Sequence, residues 1–217
     1  IPTSDWAQVS LFKFHLNNND GEKAVKSMNI VLPSTKIDSR IKHRILNEFL
    51  IFSGKNPQYS SDLEKAVGYF DNDKSVNVSM EIGKYFHSKK QLDKAIKYYE
   101  KSISDKPEES VQTHFLLLKA LTENKQFDIL AKKAVVMVET FPTQPQFYYY
   151  AGLAYNQLKE FKKAKDLLEM GMDYVVENKE LEINFNIQLG EAYSGLGDSK
   201  KKELFFSKAN QLLKEKK

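Results

Sequence analysis

The chain has 217 residues, 41% hydrophobic and 29% charged, a soluble and foldable composition long enough for one ordinary domain or a modest repeat array. Its 33 basic and 29 acidic groups leave a net charge of +4, too mild an excess to imply nucleic acid, whose binders concentrate Lys and Arg on one face. The absence of cysteine excludes disulfides, thiolate metal sites and cysteine catalysis, and no apolar run approaches the ~20 residues that span a bilayer.

The chain opens "IPTSDW", without Met and without a signal peptide, which points to a processed chain or an excised fragment. The stretch "WAQVSLFKFHLNNNDGEKAVKSMNIVLP" then predicts a degenerate helical hairpin. Leu11 and Phe12 lie on its first helix, Asn17 to Gly21 in its turn, and Ala24, Met28 and Val31 on its second helix, with Pro33 closing it. Ile37, Ile41, Ile45 and Phe49 recur every four residues, a helix signal that stops at Gly54. "SSDLEKAVGYF" (60–70) reads as a shorter helix opening at a Ser cap.

From here the spacing becomes regular. Ser79, Ile82, Gly83 and Phe86 share one helical face. The polar break "HSKKQ" follows, then Leu92, Ala95, Ile96, Tyr99 and Ile103, and Pro107 ends the run. Two such helices joined by a short polar turn pack as an antiparallel hairpin. The pattern returns with Leu118 and Leu121, then Phe127, Leu130, Ala134, Met137 and Pro142. It returns again with Tyr148, Ala151, Gly152 and Tyr155, then Phe161, Ala164, Leu168 and Gly171. A last round has Leu189, Gly190 and Tyr193, then Gly197, Phe206, Ala209 and Leu213. Gly83 to Gly152 and Ala95 to Ala164 are both 69 residues, two periods of about 34 to 35. Gly152 to Gly190 is 38, which places a short insertion near "VENKEL". Nothing alternates with the period of two that strands require.

"MEIGKYF" with "LDKAIKYYEKSISDKP" (80–107) and "YYYAGLAYNQLKEFKKAKDLL" (148–168) resemble tetratricopeptide repeats: Ile82, Gly83, Phe86, Ala95, Tyr99 and Pro107 fall in the repeat's slots, as do Tyr148, Gly152, Tyr155 and Ala164. Two units depart from the pattern, with Leu118 in a glycine slot and Lys202 in an alanine slot. The resemblance implies an all-α fold, a right-handed α-solenoid of stacked helical hairpins. Its units are about 76–109, 111–143, 145–178 and 183–216, continuous with divergent hairpins over 1–75.

The resemblance also implies a concave groove lined by the first helix of each hairpin and holding a peptide or partner helix. Carried over by position, the lining is Asn77, Met80, Lys84 and His87; Gln112, Phe115 and Lys119; Gln146, Tyr149, Leu153 and Asn156; and Asn184, Ile187 and Glu191. This mixed polar and aromatic set suits backbone amides with a few apolar anchors, although the same residues also fit an ordinary solvated face. Family members that clamp a peptide carboxylate use Lys, Asn and Arg where this chain has Met80, Lys84, Leu116, Gln146 and Tyr150, so that clamp is missing.

Motifs of catalysis are missing too. His15, His43, His87 and His114 have no partner at helical metal-ligand spacing. No phosphate-cradling loop, dinucleotide fingerprint or nucleophile elbow occurs, and "GLGD" (195–198) fits an inter-helix turn. Tyr148, Tyr149 and Tyr150 point in three directions on a helix, which argues against a base-stacking platform. The basic stretch from Lys200 to Lys217 reads as a solvated helix face. The expectation is a non-enzymatic scaffold that binds another protein, without cofactor, metal or nucleic acid. The alternatives are an accessory domain of a larger bacterial envelope or assembly factor, such as those of cytochrome c maturation, and a helical-repeat nucleic-acid binder. The compartment is open between cytoplasm and bacterial periplasm or envelope.

Overall fold

The computed structural model describes residues 4–70, 77–105 and 110–215. Among them are twelve α-helices and no strand: α1 (Asp5–Asn17), α2 (Gly21–Val31), α3 (Ser39–Lys55), α4 (Ser60–Gly68), α5 (Val78–Ser88), α6 (Leu92–Asp105), α7 (Ser110–Glu123), α8 (Phe127–Thr140), α9 (Pro145–Gln157), α10 (Phe161–Met172), α11 (Lys179–Gly195) and α12 (Ser199–Glu215). They pair in order as six antiparallel hairpins of an α-solenoid: helix contacts stack the first hairpin on the second and run on from the third through the sixth, and the Lys97–Glu64 ion pair links the second to the third. Pro107, which the sequence offers as the stop of α6, lies outside the described residues.

Hairpins three to six are held by size complementarity. A side chain on Gly83 would collide with Tyr99, one on Gly152 with Leu168, and one on Gly190 with Phe206. In every case the large partner comes sixteen residues after the glycine. The fourth hairpin reverses the sizes: Leu118 sits in the glycine slot, Ala134 stands sixteen residues on, and both are fully buried. The volume is conserved while the order is not.

The hairpin turns recur with the same backbone. Asn19, Lys90, Lys125, Lys159 and Gly197 all have φ between 50° and 80° (58°, 59°, 57°, 61° and 79°). In each turn the next amide donates five residues back, as in Gln91 N–H to the Phe86 carbonyl (3.0 Å) and Glu160 N–H to that of Tyr155 (2.8 Å). This is the Schellman closure of a helix C-terminus. The second hairpin differs. Its helices are linked by a 3₁₀ turn, Pro57–Tyr59, and the Ser cap read from the sequence is not formed there. Ser60 is already helical, and its Oγ donates to the Pro57 carbonyl (2.7 Å) instead of accepting from a free amide.

The insertion near "VENKEL" is absorbed as helix. α11 has 17 residues against 13 in α9, about one extra turn. Neighbouring hairpins are tied by contacts about one period apart: Lys97 to Glu64 (2.7 Å), Lys90 to Glu123 (2.8 Å) and Lys133 to Glu100 (3.0 Å). Behind them the buried core runs from Phe12 to Ala154. A second cluster around Leu168, Phe185 and Leu189 joins it through Val138, Tyr155 and Leu167, which pack against both.

Candidate partner-binding surface

The first helices α5, α7, α9 and α11 carry the fourteen positions expected to line a groove, and the structure gives them unequal freedom. Asn77 caps α5, accepting from the Met80 N–H (3.1 Å), and also receives Ser102 Oγ (3.0 Å), so its oxygen fastens α5 to α6. Met80 is half-buried. Lys84 is paired with Glu81 one turn earlier (2.8 Å). His87 is enclosed, with Nδ1 3.2 Å from the Tyr99 hydroxyl and Nε2 3.2 Å from Glu123 Oε1.

On α7, Gln112 and Lys119 are exposed, while Phe115 stacks on Phe147 with ring centres 4.6 Å apart. On α9, Tyr149 is half-buried against Tyr150 (5.3 Å) and Phe185 of α11 (6.0 Å). Its ring therefore serves the stack between hairpins as well as the open face. Leu153 beside it is half-buried. Asn156 is only 6% exposed; its Nδ2 donates to the Gln188 carbonyl (2.8 Å) and to Gln188 Oε1 (3.0 Å). That position is interior, because the side chain at the end of α9 meets α11. Gln146 Oε1 and Asn156 Oδ1 are buried and receive no hydrogen bond from the described residues. On α11, Asn184 and Ile187 are half-buried.

Glu191 is half-buried on α11, and burial raises its carboxyl above the ordinary value, partly offset by a hydrogen bond from Gln188. Burial also raises the Tyr149 hydroxyl, with the nearby Glu191 charge adding to it. Tyr150 is pushed up to about 12, first by burial and then by Tyr149 and Glu123. Glu123 shifts the other way. The Lys90 hydrogen bond, aided by His87, holds it below its ordinary range.

The structure thus joins His87 to Glu123, Phe115 to Phe147, and Asn156 through Gln188 to Glu191. Sequence reasoning missed Glu123 and Gln188. Both act across a hairpin boundary, and no pattern within one helix marks such a pair. Open clefts occur on other faces. One of about 420 Å³ is bounded by Ile103 of α6, His114 of α7 and Val136 and Met137 of α8, with the Lys133–Glu100 pair on its rim. Another, of about 490 Å³, lies along α12 at Phe206, Asn210 and Lys214. Among the described residues no group of three or more His, Asp or Glu could hold a metal ion, and no helix is long and apolar enough to cross a membrane.

A sequence profile of the tetratricopeptide repeat matches residues 76–108, the third hairpin. No curated protein sequence matches the chain. Several solved structures share its fold. A MamA structure from MSR-1 superposes with a TM-score of 0.57 at 19% identity, covering 82% of this chain and 99% of that one. MamA from Desulfovibrio magneticus RS-1 gives 0.59 at 16% identity, covering 80% and 96%. A further MamA crystal structure gives 0.53 at 15% identity, covering 98% and 93%. At these identities the likeness is one of fold, the solenoid of tetratricopeptide-type hairpins.

Proposed function

We propose that this tetratricopeptide-type solenoid is a non-catalytic scaffold that holds a segment of another protein along the wall built by α5, α7, α9 and α11. The observation that carries this reading is the state of Phe115, Tyr149, Leu153 and Ile187. These apolar side chains from three successive first helices stay partly exposed although the core behind them is closed. α9, which supplies two of them, has no charged residue in its length. A wall of aromatic, aliphatic and amide side chains with few charges favours an extended chain recognised by its backbone and by a few apolar anchors. Asn77 and Asn156 support the wall from behind, while Gln112 and Lys119 stand at its open face.

The test is site-specific photo-crosslinking. A photoreactive residue at Gln112 or Lys119 captures the partner, and one at Lys132, exposed on α8, does not. Capture from Lys132 with none from the inner positions overturns the assignment. Tyr149→Ala alone is a poor probe, because the ring also packs on Phe185.

A further inference from the structure

Stacking antiparallel hairpins in one direction puts every turn within a hairpin on one edge of the solenoid and every turn between hairpins on the other. In hairpins three to six the within-hairpin turns are residues 88–94, 123–129, 158–163 and 196–202. Together they hold ten lysines against five carboxylates. Four of those carboxylates are engaged by the protein itself. Glu123 binds Lys90, Asp93 accepts from Asn124, Glu160 pairs with Lys163, and Asp198 accepts the Lys201 N–H. On the other edge, residues 173–182 carry four carboxylates against one lysine.

Two features show that the lysines are placed by the repeat. Lys90, Lys125 and Lys159 occupy the left-handed turn position, where a side chain is costly and glycine is the default. The last hairpin does use glycine there, at Gly197. In addition, Lys94 lies over Phe86 (5.1 Å), Lys163 over Tyr155 (5.1 Å) and Lys201 over Tyr193 (4.7 Å), always eight residues after the ring. In the fourth hairpin the same spacing holds Leu121 and Ile129, and Ile129 is 44% exposed. Leu196, in the last turn, is 46% exposed. The edge is therefore a row of cations with apolar side chains standing among them.

We propose that this edge docks on an anionic lipid surface, the lysines meeting the headgroups and Ile129 and Leu196 entering the interface. An acidic peptide or a nucleic acid would use the charge but leave the two exposed aliphatic residues without a role, whereas a lipid interface takes both. The acidic turn at 173–182, on the far edge, favours an orientation with the lysines toward the surface. The face is distinct from the inner wall and does not depend on it.

Co-sedimentation with vesicles tests this. With about 30% phosphatidylserine in phosphatidylcholine at about 0.1 M salt the protein pellets; with phosphatidylcholine alone it stays in solution; about 0.5 M salt releases it. A Lys125→Gly, Lys159→Gly, Lys162→Gln variant lowers the bound fraction about tenfold while its thermal midpoint holds or rises, because the glycines relieve left-handed strain. Ile129→Ser with Leu196→Ser also weakens binding. The proposal is overturned by equal binding to phosphatidylcholine, by no binding, by a lysine variant that binds unchanged, or by duplex DNA or polyglutamate competing fully while the Ile129 and Leu196 changes have no effect.

Discussion

Gly83 and Tyr99 meet across the third hairpin with no room for a methyl group: a Cβ on Gly83 would stand 2.5 Å from Tyr99 Cε1. Tyr99 is fully buried, held by His87 at its hydroxyl and pushed up to about 12 by that burial. The ring cannot retreat, so the glycine is a packing requirement and not a conformational one. The same relation links Gly152 to Leu168, at 2.3 Å.

Gly152→Ala should therefore cost about 1–3 kcal/mol in urea unfolding. Leu168→Ala alone should lose about 2–5 kcal/mol by opening a cavity. The double variant should lose clearly less than the two together, since the added methyl enters the vacated space. Strict additivity would show that the two side chains do not share this contact.

Ala164 is fully buried on α10. Replacing it by Leu should overpack the contact between helices and cost about 1–3 kcal/mol. An unchanged thermal midpoint would remove Ala164 from the packed face.

The left-handed turns make a prediction of opposite sign. Lys125 at φ 57° is exposed and carries the strain of a side chain in that region. Lys125→Gly should stabilise by about 0.5–1 kcal/mol, the relief of about 1–2 kcal/mol being reduced by the greater freedom of glycine in the unfolded chain. Lys125→Ala keeps the strain and should show no such gain. Equal effects of Gly and Ala, read from urea midpoints, would contradict the turn geometry.

Two carboxylates should respond to pH in opposite ways. Glu123 is held below its ordinary value of 4.5, chiefly by Lys90. Its contribution is fully present above 4.5 and fades as pH falls through the lower folded value. Glu123→Gln should lower stability at neutral pH and remove that acid-side loss. Glu191 is raised above 4.5 by burial, so its charge destabilises the fold at pH above the raised value and costs nothing once pH is below 4.5. Glu191→Gln should raise stability at pH 7, with the difference closing on acidification. Thermal unfolding between about pH 3 and 7 reads both, and parallel behaviour of the two variants would refute the assignment.

Helix existence, the hairpin grammar and the slots Gly83, Ala95, Gly152, Ala164 and Gly190 were legible in the sequence, because hydrophobic period and residue size are local properties of one chain segment. Tertiary structure decided what happens between segments. Leu118 looked like a defect until Ala134 was found buried sixteen residues on. The sequence placed an insertion before Gly190 without giving its form, and the structure makes it a turn of helix at the start of α11. Asn77 and Asn156 were groove positions by the family resemblance, yet one caps and fastens α5 and the other binds Gln188 of the next hairpin. Periodicity assigns a residue to a face of its own helix. What lies opposite that face is set by how neighbouring hairpins stack, and that depends on side chains more than thirty residues away.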